Sequence, residues 1–334
     1  MINEPKITHV VLTGGVGSRL WPLSRKSQPK QYLDLFDGKS LFELTVARNA
    51  PLADNVIVVG NKENSQLTNR QMHQLGIPFT HIVEATPRNT AAAIAFAAFD
   101  CHPDDILIVT PSDHLIEGEK QYIASLREAI ALAKRNFLVT FGIQPSRPET
   151  GYGYIEYSGD DVLAFHEKPN LERAVSFLEK DTFLWNSGMF CFKAGLFLEE
   201  LRKQEPTVYN SAHFAWMVSI DNRLDHDASL QIPSISVDYA VMERSKNIKV
   251  VATQFGWSDL GSFESVYDYL VQNGHQADSK GNIVIGSDLH TAFVGLQNCL
   301  LVHTEDALLV VQKEHSQDVK QVYQYLESID SPLL

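Results

Sequence analysis

Short apolar runs alternate with longer mixed segments in the first third of the chain. The runs at residues 8–13, 55–60 and 105–110 are typical of buried strands, each ending in glycine or polar residues. The segments at residues 40–49 and 90–99 are typical of helices. This alternation predicts an α/β fold with a Rossmann-like mixed, mostly parallel sheet and helices on both faces.

In such sheets, ligands bind beyond the carboxyl ends of the strands. The polar segments that follow two of the predicted strands are residues 14–30 and 111–114. We therefore expect the chemistry of the protein to lie in these two segments.

The pattern changes after about residue 273. Short strands are predicted at residues 282–285, 299–303 and 307–311, followed by an amphipathic helix at residues 316–329. The apolar residues expected on one face of that helix are Val319, Val322, Tyr323 and Leu326. We place a domain boundary near residue 272, which separates a main domain (1–272) from a tail (273–334).

Composition narrows the possible functions. The 334 residues are 44% apolar, which is enough for a sizeable core, and carry a formal net charge of -13. An acidic chain is a poor binder of nucleic acid or of an anionic membrane, so we expect neither partner. Residues 19–30 are locally basic, with no acid among them. Their cations, Arg19, Arg25, Lys26 and Lys30, indicate either a phosphate site or a solvated basic loop.

The cysteines indicate the compartment. Cys101, Cys191 and Cys299 are far apart and form no CxxC pair, which argues against a disulfide framework or a structural zinc site. The chain shows no signal peptide and no apolar run long enough to cross a bilayer. A cytoplasmic protein is the expectation.

The most specific feature is the run LTGGVGSRLWPLSR at residues 12–25, followed by Pro29-Lys30-Gln31. Glycines after a strand let the backbone approach a ligand and direct its N–H groups at phosphate oxygens. Arg19 and Lys30 would add positive charge. No lysine follows the glycines at P-loop spacing, and Leu20 stands where a dinucleotide-binding GxGxxG motif needs its third glycine.

This run resembles the GGxGxRLxPLTxxxxPK loop of sugar-1-phosphate nucleotidyltransferases, with Ser24 in place of the usual threonine. Trp21 and Gln31 resemble the variant in mannose-1-phosphate guanylyltransferases, and the resemblance extends over essentially the whole chain. It implies transfer of GMP from GTP to mannose 1-phosphate with Mg²⁺, giving GDP-mannose and pyrophosphate by in-line attack at the α-phosphorus. The nucleotide-binding residues it implies are Leu12, Gly14, Gly15, Gly17, Ser18, Arg19, Lys30, Glu84, Asn89, Thr90, Ser112 and Asp113.

Residues 84–91, EATPRNTA, resemble the family segment that faces the base and ribose. Glu84 would accept from guanine N1–H and N2–H, which adenine does not present, with Asn89 and Thr90 as supporting groups. Alternatively, Asn89 or Thr90 caps the alanine-rich helix that follows.

Two aspartates are the metal candidates. Asp113 follows a buried strand and resembles the family's magnesium ligand, although an Asx-turn is the alternative. Asp259, in the run WSDLG, resembles the second ligand. Sequence spacing does not show that the two meet.

The resemblance also implies a sugar-phosphate site. Its residues would be Gly153, Glu167, Lys168, Asn186 and Asp238. Lys168 would hold the phosphate of the sugar and is counted with Arg19, Lys30, Asp113 and Asp259 as catalytic. For the segment around Asp238, burial of Tyr239 and Val241 in the core explains the pattern equally well.

The tail resembles the short β-helix of the family, which implies a role in dimerisation, and a homodimer is expected. The longer family members carry an isomerase domain beyond this point, and the chain stops at Leu334, so no isomerase activity is expected. Two alternatives remain: the same reaction with another base or sugar, such as GDP-fucose or GDP-heptose synthesis, or a non-catalytic regulator that binds nucleotide sugars.

Overall fold

The computed structural model describes residues 4–35 and 38–334. It divides into two compact units. The first unit contains the described residues up to Gly14, together with Glu43–Ser112 and Ile116–Trp257. The second contains the described residues of Gly15–Phe42, together with Asp113–Leu115 and Ser258–Leu334. The sequence-based boundary near residue 272 stays a prediction.

The strands are β1 (Ile7–Thr13), β2 (Asn55–Asn61), β3 (Thr80–Glu84), β4 (Ile106–Pro111), β5 (Leu115–Glu117), β6 (Leu138–Ile143), β7 (Tyr154–Ser158), β8 (Asp161–His166), β9 (Phe183–Lys193), β10 (Ile248–Thr253), β11 (Gly256–Ser258), β12 (Ile283–Ile285), β13 (Cys299–His303) and β14 (Leu308–Gln312). The helices are α1 (Leu41–Asn49), α2 (Ser65–Leu75), α3 (Asn89–Phe99), α4 (Glu119–Lys134), α5 (Leu171–Leu178), α6 (Ala194–Gln204), α7 (Pro206–Met217), α8 (His226–Leu230), α9 (Phe263–Gln272) and α10 (Val319–Ser328). The strands predicted in the first third of the chain are β1, β2 and β4, and the two predicted helices are α1 and α3.

The first unit is built on a mixed sheet with the strand order β3-β2-β1-β4-β9-β6-β10-β8-β7. From β3 to β4 all neighbours are parallel, whereas β9 runs antiparallel to both β4 and β6. Strands β1, β2 and β4 are buried along most of their length, which explains their continuous Val/Ile/Leu runs.

Helix α3 forms much of the core of the first unit, because its residues Ala91–Ala98 are all buried. Small side chains let this helix pack closely against β1, β2, α6 and α7. At the carboxyl ends of β1 and β4, the backbone N–H of Ser112 donates to the carbonyl of Leu12 at 3.0 Å. The glycine loop is the segment of residues 14–30. Its start is thereby fixed beside the segment that follows β4.

The second unit contains a three-stranded sheet in which β12 is parallel to β13 and β13 antiparallel to β14. The predicted amphipathic helix is α10, and its residues Val319, Tyr323 and Leu326 are buried as expected. Val322 lies at the edge of that face, with 38% of its surface exposed. Among the described residues, no helix is long and apolar enough to cross a membrane.

Candidate active site

Lys30 links the two segments that carry the predicted metal ligands in the second unit. Its side chain is 7% exposed. The Nζ atom lies 2.6 Å from Asp113 Oδ2 and donates to the backbone carbonyl of Asp259, also at 2.6 Å. Three residues that lie far apart in the sequence therefore meet at the Lys30 ammonium, Asp113 through its carboxylate and Asp259 through its backbone carbonyl.

Asp113 is held as a carboxylate. Burial alone would raise its pKa, but the charges of Lys30 and His114 outweigh burial and lower the pKa below its ordinary value. His114 Nε2 lies 3.7 Å from Oδ1 of the same side chain. The carboxylate of Asp259 accepts a hydrogen bond from the backbone N–H of Gly261 at 3.1 Å. Both acids are thus oriented by neighbours in the same unit.

Asp113 and Asp259 are the residues that would hold the Mg²⁺ ion implied by the sequence. The described residues contain no group of three or more His, Cys, Asp or Glu side chains placed to hold a metal. Mg²⁺ commonly takes one or two carboxylates and completes its shell with substrate phosphates and water. Asp113 and Asp259 supply that number of carboxylates.

The glycine loop packs directly on Lys30. Gly17 has φ +77°, and a Cβ atom at this position would lie 2.6 Å from Cβ of Lys30. The backbone N–H of Lys30 donates to the carbonyl of Val16 at 3.1 Å. In contrast, a Cβ at Gly14 or Gly15 would meet nothing within 4 Å. The loop is closed against Lys30 on one side and open at its first glycines, where a ligand could approach.

The cations of the loop fall into two classes. Arg19, next to Ser18 in the turn Ser18–Leu20, is exposed, and no ion pair of its side chain occurs within residues 4–35 and 38–334. Arg25 and Lys26 are instead paired with Asp306 and Glu327 of the tail. Of the four cations expected to form a locally basic site, Arg25 and Lys26 are paired with acids of the tail and Lys30 with Asp113, whereas Arg19 is exposed.

Glu84 ends β3 in the first unit and is only 7% exposed. Its carboxylate receives a hydrogen bond from the backbone N–H of Arg88, whereas its Oε1 atom has no hydrogen-bond partner in the described structure. Burial raises the pKa of Glu84 to about 7. A buried acceptor without a partner costs free energy, so this oxygen is suited to a ligand that brings N–H donors.

Asn89 and Thr90 begin α3 rather than capping it. The N-cap position is Arg88, and no side chain caps it. Asn89 has φ +69°, and its Oδ1 accepts from the backbone N–H of Thr90 at 2.8 Å. The hydroxyl of Thr90 accepts from the backbone N–H of Val237 at 2.9 Å. Asn89 is therefore not at the N-cap position, although its side chain accepts from one N–H of the first turn, and Thr90 ties α3 to the segment that carries Asp238.

The predicted sugar-phosphate residues lie together in the first unit. Asn186 donates through Nδ2 to Asp238 at 2.7 Å, and its backbone N–H donates to the carbonyl of Gly153 at 2.8 Å. A Cβ at Gly153 would lie 2.5 Å from Glu167 Oε2, so a larger residue here would displace this carboxylate. Glu167 in turn pairs with Lys168 at 2.9 Å.

Negative charge concentrates in this group. Burial raises the pKa of Asp238, and the nearby Glu167 carboxylate raises it further. The hydrogen bond to Glu167 raises the pKa of Lys168, whose side chain is 64% exposed and whose φ is +44°. Lys168 is thus an exposed cation that is already paired with Glu167.

The sequence did not single out Glu243, a third acid of this group. Burial raises its pKa, and so do the charges of Glu167 and Asp238. Between Asp238 and Glu243 the chain forms a π-helical turn over Asp238–Met242, a feature common at functional sites. Val241 is buried, as the core interpretation expected, but Tyr239 is 45% exposed. The run VDYAVME was the available signal for Glu243.

Comparison with known proteins identifies the class. A family model described as "Nucleotidyl transferase" matches residues 8–275, and one described as "MannoseP isomerase/GMP-like beta-helix domain" matches residues 275–326. The xanthan biosynthesis protein XanB of Xanthomonas campestris pv. campestris is 42% identical, over 96% of this chain and 73% of that protein. A mannose-1-phosphate guanylyltransferase of Sinorhizobium fredii is 40% identical, over 94% and 67% respectively.

Among solved structures, one described as a mannose-1-phosphate geranyltransferase from Thermus thermophilus superposes with a TM-score of 0.84. It is 28% identical, and the match covers 96% of this chain and 99% of that one. The chain belongs to the nucleotidyl transferase family, in the branch of the mannose-1-phosphate guanylyltransferases. The predicted family and fold class, including the β-helix-like tail, are confirmed.

Proposed function

We propose that this enzyme transfers GMP from GTP to mannose 1-phosphate and releases pyrophosphate. The observation that carries the proposal is the contact of buried Lys30 with both Asp113 and Asp259 behind the glycine loop. A buried cation between two acid-bearing segments is suited to a polyphosphate and its metal ion. The names of the relatives at 38–40% identity support the choice of GTP and mannose 1-phosphate.

The nucleotide is assigned to the glycine loop and Glu84. Backbone N–H groups at Gly14, Gly15 and the residues that follow would face the phosphates, with Arg19 as the exposed cation. The partnerless Oε1 of Glu84 would accept from guanine N1–H and N2–H. Adenine presents no donor pair of this kind, so the same carboxylate would reject ATP.

The sugar phosphate is assigned to the group around Glu167. The carboxylates of Glu167 and Asp238 would accept from sugar hydroxyls, and Asn186 holds Asp238 in place at 2.7 Å. The exposed ammonium of Lys168 would bind the phosphate of mannose 1-phosphate. Because Gly153 has no Cβ, the Glu167 carboxylate can lie close to its backbone.

The reaction is a single displacement. A phosphate oxygen of mannose 1-phosphate forms a bond to the α-phosphorus of GTP, and the bond from that phosphorus to the bridging oxygen of the β-phosphate breaks. The electron pair leaves with pyrophosphate, which Lys30 and Arg19 stabilise. A phosphate monoester is already an anion near neutral pH, so alignment and charge neutralisation suffice. Mg²⁺ bound by Asp113 and Asp259 would supply further neutralisation of the phosphate oxygens and act as a Lewis acid.

A stereochemical experiment tests this mechanism. Mannose 1-phosphate is supplied with one diastereomer of GTP that carries sulfur at the α-phosphorus, and the configuration of the product is determined. A single in-line displacement inverts the configuration at phosphorus. Retention would indicate a covalent GMP-enzyme intermediate and would contradict the assigned roles.

A further inference from the structure

The tail of the second unit contacts the glycine loop through two side chains of the loop. The guanidinium of Arg25 lies 2.6 Å from Asp306 Oδ1 and donates to the backbone carbonyl of Leu333 at 2.8 Å. The indole Nε1–H of Trp21 donates to the same carbonyl at 2.9 Å. Arg25 also reaches the hydroxyl of Thr304 at 3.3 Å. The tail thus supplies a carboxylate, a hydroxyl and a carbonyl to one short stretch of the loop.

These contacts are sheltered from solvent on the loop side. The side chain of Arg25 is 13% exposed and Trp21 is 6% exposed, although Asp306 is 52% exposed. The guanidinium also lies over the Trp21 ring, 6.0 Å from its centroid. A partly buried arginine with several acceptors holds its geometry better than a surface ion pair does.

The tail also contacts the loop next to Arg19, and hydrogen bonds within the loop connect Arg25 to the segment before Lys30. Helix α10 packs against the turn Ser18–Leu20, which carries Arg19. On the other side, Arg25 Nε donates to the carbonyl of Pro22, and the backbones of Arg25 and Gln28 exchange two hydrogen bonds just before Lys30. The tail therefore supports the loop between Arg19 and Lys30.

We infer that Arg25 and Trp21 are positioning residues, and that the tail sets the geometry with which the loop binds the triphosphate. Neither side chain is assigned a contact with substrate. The inference rests on the proposed function in one respect, because it takes the loop to be the triphosphate site. A loop released from the tail would keep Arg19 and Lys30 but present them less accurately, and misplacement of about 1 Å can cost up to about 100-fold in rate.

The test compares three variants of the full chain. Asp306→Ala removes the carboxylate, and Trp21→Phe removes the N–H donor while keeping an aromatic ring. Lys313→Ala is the matched control, because Lys313 pairs with Asp268 at 2.7 Å with similar exposure of 24% and 51%. That ion pair lies in the same unit and does not involve the loop.

We expect Asp306→Ala and Trp21→Phe to raise the KM for GTP by ~10-fold, with the KM for mannose 1-phosphate unchanged. Their melting temperatures should match that of Lys313→Ala. The inference is wrong if the KM for GTP of both variants stays within about twofold of that of the control. It is also wrong if the KM values for GTP and for mannose 1-phosphate rise together as the melting temperature falls. Should Asp306→Ala fail to fold, Trp21→Phe decides the question.

If the proposed function is wrong, the experiment gives a result that differs from failure of the positioning role. A wild-type enzyme inactive with GTP and mannose 1-phosphate would reject that function and leave the positioning role open. In that case the dissociation constant of GTP, measured by calorimetry on the same variants, replaces KM. Equal affinities of Asp306→Ala, Trp21→Phe and the control would then overturn the inference.

Discussion

Asp113 in the second unit and Glu84 in the first are both acids to which we assign roles in the proposed function, but their surroundings differ. Asp113 contacts a lysine at 2.6 Å, and the nearby cations lower its pKa. Glu84 is 7% exposed, has a carboxylate oxygen without a partner, and its pKa is raised to about 7. Asp113 and Lys30, assigned to the metal ion and the phosphates, are thus charged and held by an ion pair in the ligand-free protein. In contrast, Glu84, assigned to the base, has a buried acceptor atom without a hydrogen-bond partner.

This difference fits the two proposed roles, phosphate transfer for Asp113 and base selection for Glu84. Phosphate transfer needs charges fixed in advance, because preorganised dipoles and ions lose nothing to reorganisation during the reaction. Base selection needs a penalty that only the correct base removes, and an unsatisfied buried acceptor supplies one. The two carboxylates should therefore respond differently to substitution and to pH.

The largest expected effect is at Asp113. The substitution Asp113→Asn keeps a hydrogen-bonding side chain beside Lys30 but removes the charge, and we expect kcat to fall by roughly 10²–10³-fold. Steady-state pyrophosphate release measures it. Asp105→Asn is the control, a 9% exposed acid outside the proposed site. A kcat within a few-fold of wild type for Asp113→Asn would remove Asp113 from the catalytic group.

A smaller and more selective effect is expected at Glu84. Loss of a charged hydrogen-bond acceptor costs about 1.5–3 kcal/mol, so Glu84→Gln should lower kcat/KM for GTP by roughly 10- to 100-fold. The rate with ATP should change little. Glu200→Gln, at a side chain that is 8% exposed, is the matched control. Equal losses with GTP and ATP would contradict a role in base selection.

The smallest expected effect is the pH dependence of GTP binding. With a pKa of about 7, Glu84 is increasingly protonated as the pH falls below that value, and a protonated oxygen no longer accepts from guanine. The KM for GTP should therefore rise below about pH 7, by up to about tenfold per pH unit. Glu84→Gln removes this dependence while retaining the titration of the substrates themselves. An identical profile in the variant would show that another group titrates.

Much of the fold could be predicted from local pattern. Buried strands such as β1 and β4 have continuous apolar runs, and the glycine loop and Asp113 follow them directly. The place of β9 could not be predicted, because its antiparallel insertion between β4 and β6 depends on pairing across distant segments.

Long-range contacts limited the prediction of the site in the same way. Arg25 is a cation in a basic loop by sequence, but its partner Asp306 lies 281 residues away. Lys30 and Asp259 are separated by 229 residues, and no spacing rule connects them. The proposed site residues follow from the resemblance, whereas the pairing of Arg25 and Lys26 with acids of the tail could be seen only in the structure.

The most direct test of the account is pyrophosphate release from mannose 1-phosphate with GTP, ATP, CTP, UTP and dTTP, each with Mg²⁺ and with chelator. We expect release with GTP, little with the other triphosphates, and loss of release with chelator. Equal or faster release with another triphosphate would contradict the role of Glu84. Absence of release from the whole panel, repeated with other sugar 1-phosphates, would contradict the proposed reaction and favour a regulator that binds nucleotide sugars.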